Sequence, residues 1–131
     1  MKASVNPKIE EITIDGEIYV PKVSVKSNTI AHDGLKPVLI RADRAGVHFG
    51  FLKSEAFTPS GKVVTLVKTR RVYYWDGAAT LSQMALEGVS KPGNCKFTVE
   101  ISENEIVGVI ETLPLTDIAY TNLNSVGVWR Q

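Results

Sequence analysis

Residues 62–75, "KVVTLVKTRRVYYW", run without a break into residues 76–88, "DGAATLSQMALEG", and the fold turns on how this stretch divides. The first part is crowded with β-branched and aromatic side chains, which suit a pleated, half-buried surface. It reads as one bent strand, or as two short strands broken near Lys68-Thr69. The second part reads as a turn at Asp76-Gly77 and a short helix over 81–88. Thr80 and Gln83 have the spacing of a capping box, in which the hydroxyl and the amide satisfy free backbone N–H groups. Leu81, Met84 and Ala85 follow at i, i+3 and i+4 on one face, and Gly88 is placed to end the helix. Strand alternation puts Arg71, Tyr73 and Trp75 on one face, and Arg70, Val72 and Tyr74 on the other. One face must pack under the helix; the expected division gives Val72, Tyr74, Leu81 and Met84 to the core.

Outward from this centre, "PVLIRA" (37–42) and "VHFGFLK" (47–53) read as strands joined by the turn "DRAG". "SEAFTPSG" (54–61) reads as a loop and "SKPGNCK" (90–96) as a turn-rich connection. "FTVEIS" (97–102) and "IVGVIETLPL" (106–115) read as strands, Asp117 to Leu123 as a helical turn, and "VGVWRQ" (126–131) as a last strand. The fold class expected is α+β: a small, mostly antiparallel β-sheet domain with one or two short helices. Residues 1–36 read as an N-terminal arm with a hairpin signal at Asp15-Gly16, and residues 37–131 as the main domain.

Fifteen basic against 14 acidic side chains leave a formal charge of +1. That balance argues against a dedicated polyanion binder, while leaving room for a small anionic ligand held by a few arginines. The single cysteine, Cys95, excludes an internal disulfide and suits a reducing compartment. No signal-like or membrane-spanning apolar run is visible, so a cytoplasmic protein is expected.

Signals for catalysis are missing. His32 and His48 are the only histidines, and no HExxH, CxxC, GxSxG or paired HxT/HxS pattern occurs. No catalytic residue, metal ligand or cofactor is therefore expected. Two stretches suit ligand binding. In "RADRAGVHFG" (41–50), backbone N–H groups of Ala45, Gly46 and Val47, with Arg41 or Arg44 beside them, have the chemistry to hold a phosphate; an ordinary hairpin turn explains the same residues. In the aromatic strand, rings suit stacking and arginine suits phosphate oxygens, though strand aromatics more often pack in a core. Asn94 has an amide suited to a base edge and a position suited to a turn.

Taken together, "RADRAGVHFGFL" (41–52), "VVTLVKTRRVYYWDGAATLSQMALEG" (63–88) and "NCKF" (94–97) resemble a phage-borne family of small anti-Thoeris proteins, the first-described family of that kind. The resemblance covers residues 37–131. It implies a molecular sponge that binds glyco-cyclic ADP-ribose isomers, the signals of bacterial Thoeris defence, and releases them unaltered. It further implies homodimers or homohexamers acting in the cytoplasm of an infected bacterial host cell, with cyclic di- or trinucleotides of CBASS defence as further ligands. Within the matching motifs, chemistry assigns Arg44, Ala45, Gly46, Val47 and Arg71 to phosphates, Tyr73 and Trp75 to stacking, and Asn94 to the base or a ribose. Competing expectations are a single-stranded nucleic-acid-binding module built on the same strand, a nucleotide-degrading enzyme using His48, and a phage structural domain without a small ligand.

Overall fold

A computed structural model describes residues 31–131. The hairpin expected at Asp15-Gly16, and nearly all of the arm, lie outside the described residues. The domain consists of strands β1 (Pro37–Ala42), β2 (Gly46–Thr58) and β3 (Gly61–Tyr74), helix α1 (Leu81–Glu87), strands β4 (Lys96–Phe97) and β5 (Ile101–Pro114), and helix α2 (Asp117–Asn124). All named strand pairs are antiparallel. The architecture is the α+β domain expected, a five-stranded sheet with two short helices.

The sheet closes on itself. β1 pairs with β2 and β5, and β3 also pairs with β2 and β5, so the four long strands form a ring. Its pairing requires β1 to be buried on both faces, and β1 is apolar at nearly every position. Val38, Ile40 and Ala42 join Val64, Leu66, Ile106 and Val109 in one apolar cluster. Leu39 belongs to a second cluster with Phe49, Phe51, Val72 and Phe97, covered by Met84 and Ala85 of α1 and Ala119, Tyr120 and Leu123 of α2. Phe49 and Phe97 are completely buried; each such ring contributes roughly 1.5–3 kcal/mol.

The two helices are joined by their caps. Thr80 accepts from the Gln83 N–H at 3.1 Å, and the Gln83 side chain reaches back to the Ala79 N–H at 2.8 Å. At the other end of α1, the Thr116 N–H and hydroxyl donate to the free carbonyls of Ala85 and Leu86, at 3.1 and 2.8 Å. The same hydroxyl oxygen accepts from Ala119 N–H at the start of α2. Gly88, at φ +80°, ends α1 where a Cβ would lie 2.3 Å from the Asn122 amide oxygen. That amide oxygen accepts from Val89 N–H, and its nitrogen donates to Val89 O.

Four sequence expectations change. The loop expected over 54–61 is strand as far as Thr58, because Glu55 pairs with Lys62 and the Thr58 hydroxyl donates to Gly61 O in a tight hairpin. The strand expected over 97–102 is interrupted: β4 and β5 lie end to end on one edge of β3, and residues 98–100 bulge between them. The C-terminal strand reduces to a single bridge between Val128 and Phe97. Tyr74 is 51% exposed rather than in the core.

The long strand β3 is continuous, with its bend at Lys68. Phe49 pairs with Arg70 and Phe51 with Val67, so β3 carries one extra residue there. Lys68 takes up the extra residue in the left-handed region, at φ +49°. The bulge reverses the alternation. Val64 and Leu66 face the ring interior ahead of it. Beyond it Val72 faces the helices, as does Arg70, whose guanidinium lies over the Phe97 ring. Arg71 turns to the side of its cross-strand partner His48. Strain of this kind costs about 1–3 kcal/mol in non-glycine residues, and most in β-branched ones. Lys68→Gly is therefore expected to keep or raise the urea midpoint, while Lys68→Val lowers stability by about 1–3 kcal/mol.

Candidate ligand-binding site

The β1–β2 turn faces residues 104–108 of β5 across a cleft of about 700 Å³. Asp43, Arg44 and Ala45 line one side, Asn104 and Glu105 the other, with Ser60 and Arg71 completing it. A smaller recess of about 260 Å³ lies next to it, lined by His48, Thr69, Thr98 and Ile101 among others. Arg71 and Asn104 border both spaces.

The strand registers bring these groups together. His48 and Arg71 are direct cross-strand partners and share a face. Asn104 is opposite Leu66, on the face of the ring interior. The interior thus changes from aliphatic to polar at one mouth.

The adjacent arginines have opposite fates. Arg70 is 4% exposed and donates to Thr98 O at 2.8 Å, Val126 O at 2.8 Å and Gly127 O at 3.2 Å. It also lies over the Phe97 ring at 5.5 Å. Burial pulls its pKa down from the ordinary arginine value, with Glu100 and Tyr120 acting against the shift. An arginine stays charged even so, and its role is to clamp the C-terminal segment to β3. Arg71 is exposed; among the described residues neither its guanidinium nor that of Arg44 has a hydrogen-bond or ion-pair partner. These two cations are free to meet an anion, while Asp43 and Glu105 bound the space that suits one.

His48 is 1% exposed. Its Nε2 lies 2.8 Å from Ala45 O; a carbonyl only accepts, so Nε2 carries the hydrogen. Burial pushes the His48 pKa below its ordinary 6.5, the Ala45 bond opposes that, and the nearby Arg71 charge adds to it. The ring is neutral at pH 7, with the Nδ1 lone pair bare.

Of the residues assigned from sequence, Arg44, Ala45 and Arg71 meet at the cleft. Gly46 sits beside them at φ +85°, making the turn. The others are occupied elsewhere. Val47 is buried in the core under the helices. Trp75 packs against that core and donates to Ala78 O at 3.2 Å. Asn94 donates to the Asp76 carboxylate at 3.0 Å. Tyr73 is exposed and stacks on Trp129 at 4.9 Å, with Lys96 over the Trp129 ring. Reasoning from sequence missed His48 as a lining residue, and with it Thr69, Thr98 and Asn104. The placing of His48 at even spacing with Gly50 and Leu52 was the available signal; nothing local marks Asn104.

Residues 35–123 match the family model described as "Domain of unknown function (DUF6948)". The chain belongs to this family. The match starts two residues before β1 and ends within α2, so it spans the ring and the residues that line the cleft. No curated protein and no solved structure matches the chain. Among the described residues no cluster of three or more His, Cys, Asp or Glu could hold a metal ion, and no helix is long and apolar enough to cross a membrane.

The two arginines give opposite expectations in urea denaturation. Arg70→Ala leaves three carbonyls without their charged donor and is expected to cost about 3 kcal/mol; Arg71→Ala is expected to stay within about 0.5 kcal/mol of the parent. His48 sets a pH dependence. Its folded pKa is below 6.5, so between that value and 6.5 the unfolded chain binds the proton more readily. Its stabilisation is complete above pH 6.5 and is lost as pH falls through the folded value. Melting from pH 7 to about pH 5 should show a decline in Tm that is shallower in His48→Gln, which has no titrating ring.

Proposed function

We propose that the chain binds a cyclic nucleotide signal of the cyclic ADP-ribose class and holds it without cleaving it. The observation that carries this reading is the pair of uncommitted guanidinium groups, Arg44 and Arg71, on one cleft of about 700 Å³. A cyclic ADP-ribose carries one pyrophosphate, a base and several hydroxyls. Its pyrophosphate needs two forked donors rather than a basic surface, in keeping with a net charge of +1. The cleft is within the roughly 300–1,000 Å³ of ordinary small-molecule sites. Asn104 and Ser60 supply further polar contacts. The resemblance of residues 41–52 and 63–88 to the anti-Thoeris sponges points to the same ligand class. In this reading the protein acts as a homodimer or homohexamer in the cytoplasm of an infected bacterial cell, taking the signal away from its receptor. Nanomolar retention requires about 12 kcal/mol, which favours closing the cleft with a neighbouring subunit. Cyclic di- or trinucleotides are further candidate ligands.

A second reading rests on the exposed Tyr73–Trp129 stack with Lys96 above it. Rings and a cation of this kind suit single-stranded nucleic acid, and that reading requires oligonucleotide binding with a steep salt dependence.

The sponge reading is tested by incubation with glyco-cyclic ADP-ribose, removal of free nucleotide, heat denaturation and chromatography of what is released. Intact nucleotide is expected from the parent chain, and none from the Arg44→Ala/Arg71→Ala double variant. Recovery of linear ADP-ribose would show an enzyme instead; a parent chain that retains nothing would refute sequestration of this ligand.

A further inference from the structure

We propose that His48 reads a donor hydrogen on the bound nucleotide: a ligand N–H or O–H group enters the recess beside Arg71 and donates to His48 Nδ1. This rests on the nucleotide-binding reading above and names the group that would give the site its selectivity.

His48 Nδ1 is a buried nitrogen without a partner, and no other buried side-chain nitrogen or oxygen among the described residues shares that condition. Leaving a buried acceptor unpaired is costly, and native proteins seldom do so without a functional reason. The Nε2–H bond to Ala45 O fixes the ring, so the acceptor nitrogen is held in one place. Of the donors that line the recess, Thr69, Thr98 and Arg70 are bonded elsewhere, while Arg71 and Asn104 make no bond to Nδ1. The Thr69 hydroxyl donates to Phe49 O at 2.9 Å, the Thr98 hydroxyl to Val99 O at 3.3 Å, and the Arg70 guanidinium to backbone carbonyls. Arg71 is exposed, unpaired and across the strand from His48. Nδ1 is closed to solvent in this structure, so binding requires the lining of the recess, which Arg71 shares with His48, to move as the ligand enters. A charged imidazole in the same place would be an anion ligand; a neutral one with a bare Nδ1 accepts. The site therefore asks for two things at once, an anion at the arginines and a donor at His48. A nucleotide has two such donors, the amine of an adenine ring and the ribose hydroxyls.

Two isosteres separate the ring nitrogens. His48→Gln preserves a donor for Ala45 O and removes the acceptor at Nδ1. His48→Asn preserves an acceptor near the Nδ1 position and removes the donor. Each variant's melting curve is recorded, and calorimetric titration with glyco-cyclic ADP-ribose is expected to show His48→Gln weakened about tenfold or more and His48→Asn weakened less, its acceptor kept but no longer fixed by the Ala45 bond. Equal loss in both, no loss in either, or the reverse order overturns the proposal. The ¹⁵N resonance of Nδ1 in the parent chain gives a check that needs no variant. On titration it should move away from the position of a free acceptor; a resonance that stays fixed while the nucleotide binds overturns the proposal and leaves the sponge reading intact. If the parent chain binds no nucleotide, both fall together. A hypoxanthine-ring analogue and an analogue lacking a ribose hydroxyl then identify the donor. The one that loses affinity in the parent but not in His48→Gln carries it, and an equal response of parent and variant to both analogues counts against the role assigned to His48.

Discussion

The left-handed backbone of Lys68 decides what the rest of the molecule can do. A regular strand through residues 62–74 would carry Arg70 to the face of Val64 and Leu66, inside the ring. It would turn Arg71 toward the hydrophobic layer under the helices. One extra residue exchanges them. Arg70 then falls where the β4–β5 connection and the C-terminal segment offer three backbone carbonyls, beside the face of Phe97. Arg71 falls at the mouth of the ring, where its charge has no partner. The strain at Lys68 is small beside the cost of burying either arginine on the wrong side, where no such acceptors converge.

Closure of the sheet supplies the second constraint. In a ring of four strands the interior admits only a narrow column of side chains, so the aliphatic cluster of Val38, Ile40, Val64, Leu66 and Ile106 fills it. Polar groups are pushed to the mouth, and the strand registers place His48, Arg71 and Asn104 there together. The outer face of the ring cannot remain exposed, because it carries Phe49, Phe51 and Phe97. Two helices of seven and eight residues cover it. Helices so short are unstable alone; the sharing of Thr116 between the last carbonyls of α1 and the first turn of α2 makes the pair one unit.

Much of this was legible in the sequence. Capping residues, Gly88 and the periodicity of Leu81, Met84 and Ala85 placed α1 to within a residue, because local chemistry dictates it. β-branched runs placed β1, β3 and most of β5. The sequence could not show the register. Residues 54–58 look like loop because they run into the Pro59-Ser60-Gly61 turn without a strand-like apolar alternation, yet cross-strand pairing holds them extended. Strict alternation from Arg71 put Tyr73 and Trp75 beside it, but Trp75 lies past the end of β3 and folds back on the core. Arg71 is exposed and lines the cleft, and its nearness to Arg44 across the turn depends on ring closure. Asn104 was invisible as a site residue because it looks like an ordinary polar residue in a strand, and His48 stood out only as a candidate in a nucleotide-degrading enzyme. Only the closed sheet brings them to one recess.

The electrostatics of the mouth favour an occupant over an empty site. Arg71 stands beside the neutral His48 and next in sequence to the buried cation Arg70, while Asp43 and Glu105 lie at the cleft margin without an ion pair to it. A protein selected only for stability would place a carboxylate against Arg71, as it does for Arg41 with Glu111 and for Lys53 with Glu103 on the same sheet. Such exposed pairs contribute little each, but they show that the sheet readily supplies a counter-charge where a cation has no other use. At Arg44 and Arg71 it does not, and there the unpaired acceptor of His48 is also found. The proposed ligand, one that brings an anion and a donor together, would match both cations and the acceptor.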